Sequence, residues 1–405
     1  MDHYEIIRLG HQGDGIAAGP VFASLTLPGE IVTGQIDGDQ LTDIKIVTPS
    51  DQRIAPVCRH FKSCGGCQLM HASDDFVAQW KSDVIRFALK AHHIETEMRP
   101  CLTSPTQSRR RATFSARRTK KGAQIGFHAR ASDTIVEIPD CQLLDPRLMA
   151  AIPIIAELAQ LGASRKAELS AQTTLSDNGL DIAISGGKPI DGQLRIGLGQ
   201  LCETRKLARL SWNGEVIAMR LPPTQKFGRA QVIPPQGSFL QATEQGERDL
   251  VAQVQEIVGS TAKVVDLFSG CGTFSLPLAQ TAEVHAVEGN ADMIKELDRG
   301  WREAQGLKRV TSQARDLFRR PLLPDELNRF DAVVIDPPRA GAQAQIAEIA
   351  QSSVGIIAYV SCNPVSFARD AAQLVQSGYL LEWITPIDQF RWSAHVELVA
   401  KFSKI

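Results

Sequence analysis

Cysteine is the side chain in this 405-residue sequence best suited to covalent or metal chemistry, and eight are present. Two placements matter. Cys362 lies in Tyr359-Val360-Ser361-Cys362-Asn363-Pro364. The apolar run Ile356 to Val360 reads as a buried parallel strand. The polar turn after it puts Cys362 just past the strand's carboxyl end, where open α/β sheets bind ligands. A free thiol alone is more often core filling, so its neighbours decide. The second placement is Cys58-x5-Cys64-Gly65-Gly66-Cys67 in a glycine-rich loop. A cluster this dense in a long chain is more often metal-bound than disulfide-linked. Three thiolates need a fourth ligand, and Cys101, Cys141 and Cys202 are the candidates before the second half. Cys141 fits best, in a polar turn after the strand-like Thr134 to Ile138. Zinc and an iron–sulfur cluster both accept an all-thiolate set. A redox Cys-x-x-Cys pair would need a thioredoxin-like βαβ context, which is missing here.

Acidic residues recur at strand ends in the second half. Val264-Val265-Asp266-Leu267-Phe268-Ser269-Gly270-Cys271-Gly272-Thr273-Phe274 reads as strand, glycine turn and helix, a turn that lets backbone approach a ligand at a helix N-terminus. It is not G-x-G-x-x-G, so a dinucleotide is not the first expectation. About 20 residues on, a second strand ends at Glu288, placed to bind ribose hydroxyls. Asp266, Glu288 and then Asp316 form the pattern of class I S-adenosylmethionine-dependent methyltransferases, with Asp316 near the adenine. A further strand, Phe330 to Ile335, ends in Asp336-Pro337-Pro338-Arg339-Ala340-Gly341.

These residues need a scaffold. The expected fold class is α/β: a C-terminal Rossmann-like class I methyltransferase domain, an N-terminal small β-barrel, and a central α+β region. Boundaries fall at 1–52, 53–235 and 236–405. Residues 1–52 read as short strands divided by glycine turns, a small barrel. Gly13-Asp14-Gly15-Ile16-Ala17 and Leu27-Pro28-Gly29-Glu30 resemble the TRAM barrel that precedes some RNA-modifying enzymes, although this copy is not basic. Phe76 to Lys90 is helix-like, with Val77, Trp80, Val84, Phe87 and Ala88 on its apolar positions. Arg109 to Lys121 is the densest positive stretch, a hairpin that is either a solvated face or a phosphate-contacting strip. Residues 150–235 give mixed signals with no nameable chemistry, and a helix is expected from about Thr243 to Val258. Net charge is −1, with 43% hydrophobic and 22% charged residues, so no uniformly basic coat exists, though a local patch is allowed. No run approaches the ~18 apolar residues of a membrane span, and the N-terminus does not read as a leader. A cytoplasmic monomer without membrane contact is expected.

Asp336-Pro337-Pro338-Arg339-x-Gly341, Ser361-Cys362-Asn363-Pro364 and His395-Val396-Glu397 together resemble the RNA uracil-C5 methyltransferase family over nearly the whole chain. Amino-group methyltransferases carry an aromatic where Arg339 stands, and RNA cytosine-C5 enzymes a cysteine in that turn. Neither is present. The resemblance implies Cys362 as the nucleophile that adds to C6 of uracil and Glu397 as the base that removes the C5 proton, with His395 structural. It implies Gln241, Phe268, Thr273, Glu288, Asp316 and Asp336 as S-adenosylmethionine contacts, Thr273 standing where asparagine is common. The set Cys58, Cys64, Cys67 and Cys141 resembles the [4Fe-4S] ligands of iron–sulfur members, a structural cluster here. Phe390-Arg391-Trp392-Ser393 departs from the family's Phe-Pro-His-Thr. The implied substrate is RNA, 23S ribosomal RNA ahead of transfer RNA. A non-catalytic RNA-binding iron–sulfur protein would have signalled itself by loss of Cys362 or Glu397.

Overall fold

The computed structural model describes residues 2–19 and 21–405. Five short strands between His3 and Thr48 close into the expected barrel around Ile6, Ala17, Val21, Ala23, Val32 and Leu41. Strands Ile31–Asp37 and Gln40–Thr48 pass so closely that a Cβ on Gly34 would lie 2.6 Å from the Thr42 carbonyl oxygen, which is why glycine stands there.

A seven-stranded sheet follows, mostly antiparallel, and it contains the Arg111–Arg118 and Ala123–His128 hairpin. Helices Ala151–Gly162 and Gly192–Thr204 cover it, and Phe114, Ile155, Leu158, Leu169, Ile182, Leu210 and Trp212 fill the interface. Residues 150–235 are therefore largely scaffold. The basic stretch is not one phosphate-facing strip. Arg110 turns inward, pairs with Glu247 at 2.5 Å and donates to the Gln241 carbonyl at 3.1 Å. Arg111 donates to the Leu240 carbonyl at 2.9 Å. Of the cations in this stretch, only Arg117, Lys120 and Lys121, at the hairpin's far end, are exposed. Spacing cannot tell an inward arginine from an outward one when a buried carboxylate from a distant helix waits for it.

The C-terminal sheet positions the site. Its strands are β1 (Lys263–Leu267), β2 (Glu283–Glu288), β3 (Val310–Ala314), β4 (Ala332–Ile335), β5 (Ile356–Ser361), β6 (Tyr379–Asp388) and β7 (Glu397–Lys404). They lie in the order 3-2-1-4-5-7-6, with β7 antiparallel to both neighbours and the rest of the pairs parallel. The continuous apolar runs of β1, β4 and β5 are explained by helices on both faces. One face packs on helices Gln343–Gln351 and Pro364–Gln376, the other on Glu244–Val258 and Ala291–Glu303. The reversal of strand order between β1 and β4 makes the crevice at their carboxyl ends the expected ligand site.

Helix Asp74–Lys90 and the strands Glu97–Met98 and Leu102–Thr103 also belong to this layer. Ile85 and Leu89 enter its core, and the two short strands extend β6. The segment 53–235 thus contributes to three sheets, the third being the two-stranded pair Gln225–Phe227 and Ala230–Val232. The helix begins where Ser73 accepts a hydrogen bond from the Phe76 N–H at 3.3 Å, a normal N-cap. Its apolar pattern misleads in two places: Phe87 is 77% exposed, whereas Lys81 is fully buried. No helix is long and apolar enough to cross a membrane among the described residues.

Candidate active site

Strand register explains how distant residues meet. Ser361 of β5 pairs with Leu398 of β7, so Cys362, one residue past the end of β5, and Glu397, at the start of β7, sit at adjoining strand ends. Ile387 of β6 pairs with Glu397 itself, which brings Asp388 and Gln389 to the same edge. Ile335 pairs with Tyr359, placing Asp336 beside them. Asp336, Cys362 and Glu397 open on one cavity of about 1090 Å³, lined also by Gln241, Phe268, Thr273, Glu288, Asp316 and His395. Every residue expected to contact a donor or to act on a base is therefore gathered in one place.

The half of the cavity expected to hold the methyl donor is built from backbone and acids. Glu288 accepts the Gly270 N–H at 3.1 Å and the Asn290 N–H at 2.8 Å, which fixes its carboxylate across from the glycine turn. Gly272 has φ +97°, and a Cβ there would meet Leu276 at 2.9 Å, so the turn requires glycine. Phe268 is held at φ +62° with its ring 5.5 Å from that of Phe318. Asp266 does not line the cavity. It is fully buried behind the turn, accepts Ser275 Oγ–H at 2.5 Å, and leaves Oδ1 without a partner. Burial pushes Asp266 up to about 7, opposed by Ser275 and reinforced by Asp336, and burial alone pushes Asp336 up to about 7.

The other half holds Cys362 and Glu397, the residues expected to act on the base. Burial and then the charge of Asp336 push Glu397 up to about 8, opposed by a hydrogen bond from Gln389. Burial, Glu397 and Asp336, in that order, push the Cys362 thiol up to about 11, with Arg339 acting against them. A carboxyl that titrates near neutrality beside a thiol is suited to exchange a proton during the reaction.

Sequence reasoning missed the residues behind this pair. Gln389 Nε2 donates to Glu397 Oε2 and, at 2.5 Å, to Gln241 Oε1, while its Oε1 accepts the Ala242 N–H at 2.6 Å. Next to it, Lys81 Nζ donates to Asp388 Oδ1 at 2.5 Å and to the Phe390 carbonyl at 3.2 Å. The available signal was two polar residues, Asp388-Gln389, closing an otherwise apolar strand end. His395, expected to be structural, lines the cavity with its ring 5.9 Å from that of Phe390.

Cys58, Cys64, Cys67 and Cys141 line the same cavity, all as free thiols. Cys58, Cys67 and Cys141 pack with Trp392 around Phe61, Met70 and Leu143, and Cys64 packs on the core of the seven-stranded sheet. Burial and then the neighbouring thiols Cys141, Cys64 and Cys58 push Cys67 up to about 12, with Arg109 opposing. Among the described residues, no three of His, Cys, Asp or Glu form a group that could hold a single metal ion. The Gln68 and Leu69 N–H groups both donate to the Trp392 carbonyl, at 2.7 and 2.9 Å, joining the cysteine loop to the segment that precedes Glu397.

Comparison with known proteins agrees with this geometry. A family model described as tRNA (Uracil-5-)-methyltransferase matches residues 225–404. An uncharacterised RNA methyltransferase of Brucella suis is 43% identical, the match covering 98% of this chain and 97% of that one. The 23S rRNA (uracil(1939)-C(5))-methyltransferase RlmD of Shewanella piezotolerans is 31% identical over 98% of this chain and 94% of its own. The crystal structure of Pyrococcus abyssi tRNA (uracil-54, C5)-methyltransferase in complex with S-adenosyl-L-homocysteine shares the fold, with TM-score 0.78 and 23% identity over 98% of this chain and 99% of that one. Motifs, sheet order and full-length relatives converge: this chain belongs to the RNA uracil-C5 methyltransferase family.

Proposed function

We propose that the protein transfers a methyl group from S-adenosylmethionine to C5 of a uridine in RNA, with Cys362 as nucleophile and Glu397 as base. The observation that carries this reading is the meeting of Cys362 and Glu397 at adjoining strand ends, in the cavity that the donor-contacting residues also line. C5 of uracil is too weak a nucleophile alone. The Cys362 thiolate adds to C6, the electron pair moves through C5–C4 onto O4, and the resulting enolate makes C5 nucleophilic. S-adenosylmethionine supplies the methyl group from its sulfonium. The Glu397 carboxylate then takes the C5 proton, the C5–C6 double bond re-forms, and the Cys362 thiolate leaves. Gln241, Phe268, Thr273, Glu288, Asp316 and Asp336 hold the donor. The target base leaves its stack to reach Cys362.

The RlmD relative supports 23S ribosomal RNA as substrate, while the description of the matching family model keeps transfer RNA as the alternative. We place the enzyme in the cytoplasm as a monomer, with the barrel, the cysteine-bearing central region and the catalytic region as its three units. The four thiols fit an iron–sulfur cluster by donor chemistry: four half-buried thiols from two loops line one cavity, and as thiolates they need a cationic group between them. Cys58, Cys64, Cys67 and Cys141 would hold a [4Fe-4S] cluster, which supplies a cross-link between two loops and no part of methyl transfer. The test is incubation with methyl-labelled S-adenosylmethionine and unmodified ribosomal or transfer RNA, beside Cys362→Ala, followed by digestion to nucleosides. Label in 5-methyluridine with the intact protein alone is expected. Label in another nucleoside overturns the mechanism.

A further inference from the structure

We propose that Gln389 is a positioning residue: it fixes the side-chain amide of Gln241 with its N–H groups toward the cavity, beside Glu397, so that the site presents donors to the C4 carbonyl of the target uracil. The inference rests on the uracil-C5 reading above.

Gln389 is 1% exposed, and three hydrogen bonds leave its amide one orientation. Turned over, its oxygen would face the Glu397 carboxyl and the Gln241 oxygen, and its NH2 would face the Ala242 N–H. The contact with Ala242 decides: a backbone N–H can only donate, so an NH2 turned toward it is a clash of like groups that no proton or neighbouring amide can relieve, and buried polar groups left unpaired are costly. The main chain on either side is equally constrained. Lys81 pins Asp388, and Arg110, held by Glu247, donates to the Gln241 carbonyl. With its side-chain oxygen committed to Gln389, Gln241 has only its NH2 left to offer the cavity it lines, one N–H for the methyl donor as proposed above and one for the base, and that nitrogen has no protein partner among the described residues.

The chemistry of the ring then says what the nitrogen meets. Glu397 serves the hydrogen on C5, and C4, with its oxygen, is bonded to C5. A donor anchored through Gln389 to Glu397 is therefore placed on the O4 side of the ring. When the thiolate adds to C6, negative charge develops on O4, so donors there bind the enolate better than the ground state. A cytosine amino group in that position would meet donors with donors.

The test uses the full-length protein with Gln389→Met, which keeps side-chain length and removes the amide, and Gln389→Leu in case methionine does not fold. Folding is checked by thermal melting and donor binding by calorimetry. The substrate is a transcript carrying the uridine mapped with the wild type, plus a copy with 5-fluorouridine there, whose C5 fluorine cannot be removed as a proton. Loss of one oxyanion donor predicts that covalent trapping on the fluorinated transcript slows by about 30-fold or more in the variant, with KM for RNA nearly unchanged. Loss of the N–H to Glu397 predicts that the rising limb of the kcat–pH profile moves to higher pH. Adding Gln241→Leu to Gln389→Met is expected to slow trapping little further at saturating S-adenosylmethionine, because the first change has already released that amide. A folded, donor-binding variant that traps at the wild-type rate, or that keeps the wild-type pH limb, overturns the proposal. A wild type that forms no 5-methyluridine overturns instead the reading on which it rests.

Discussion

Replacing Glu397 by Gln should have opposite effects on turnover and on the nucleophile. The proposed base is lost, so 5-methyluridine formation is expected to fall by about 100-fold or more. The same change removes the largest charge that holds the Cys362 thiol up, and Cys362 should become the better thiolate. The size of that gain depends on pH, because Glu397 itself titrates near 8. Near pH 7 most of its carboxyl is already neutral, and wild type and variant should alkylate at nearly equal rates. If the ionised carboxylate raises the thiol by about one pH unit, the coupled equilibria give the variant about a fivefold larger thiolate fraction by about pH 9. The assay is the rate of Cys362 carboxamidomethylation by iodoacetamide, followed by mass spectrometry of the peptide across this pH range without RNA. A ratio that rises with pH toward that value supports a carboxylate and thiol in one field. A variant that alkylates no faster at any pH would refute the reasoning, whatever happens to turnover.

Three further outcomes follow from the same packing. Lys81→Met should destabilise the fold by about 3–5 kcal/mol in urea denaturation, because Asp388 is left buried and unpaired, and Lys81→Met/Asp388→Leu should recover much of the loss. Asp266, Asp336 and Glu397 all titrate higher in the fold than in the open chain, so the native state holds more protons between about pH 4 and pH 8. Stability without ligand should therefore fall as pH rises through that window, and Asp336→Asn should flatten the melting profile across it. Cys141→Ser in anaerobically purified protein should lower bound iron and the visible charge-transfer absorbance together, with loss of thermal stability. Iron-free protein that is fully folded and active would refute a structural role for the cluster.

How much of this was legible in the sequence depended on the range of the interactions involved. The barrel, the hairpin, the capped helix after Thr243 and the strand-end position of Cys362 are local consequences of turn chemistry and apolar runs, and they appear where spacing puts them. Glu397 could be carried over from a motif but not placed: its distance from Cys362 is set by the register Ser361 to Leu398, which no local pattern encodes. Lys81 falls outside the apolar positions read for its helix, since periodicity has no means to mark a buried lysine whose partner lies 307 positions away. Arg110 was hidden in a basic run for the same reason. These misread residues share a feature. Each is a buried polar group from one segment that satisfies a buried polar group from another, and each stands behind the strand ends that carry the chemistry. An apolar core could set the strands side by side and leave their terminal side chains free to choose rotamers. The Lys81–Asp388 and Arg110–Glu247 pairs and the Gln389 amide remove that freedom, because breaking any one strands a charge or an N–H away from water. The site's geometry is thus held by interactions whose net contribution to stability is small and whose loss is costly.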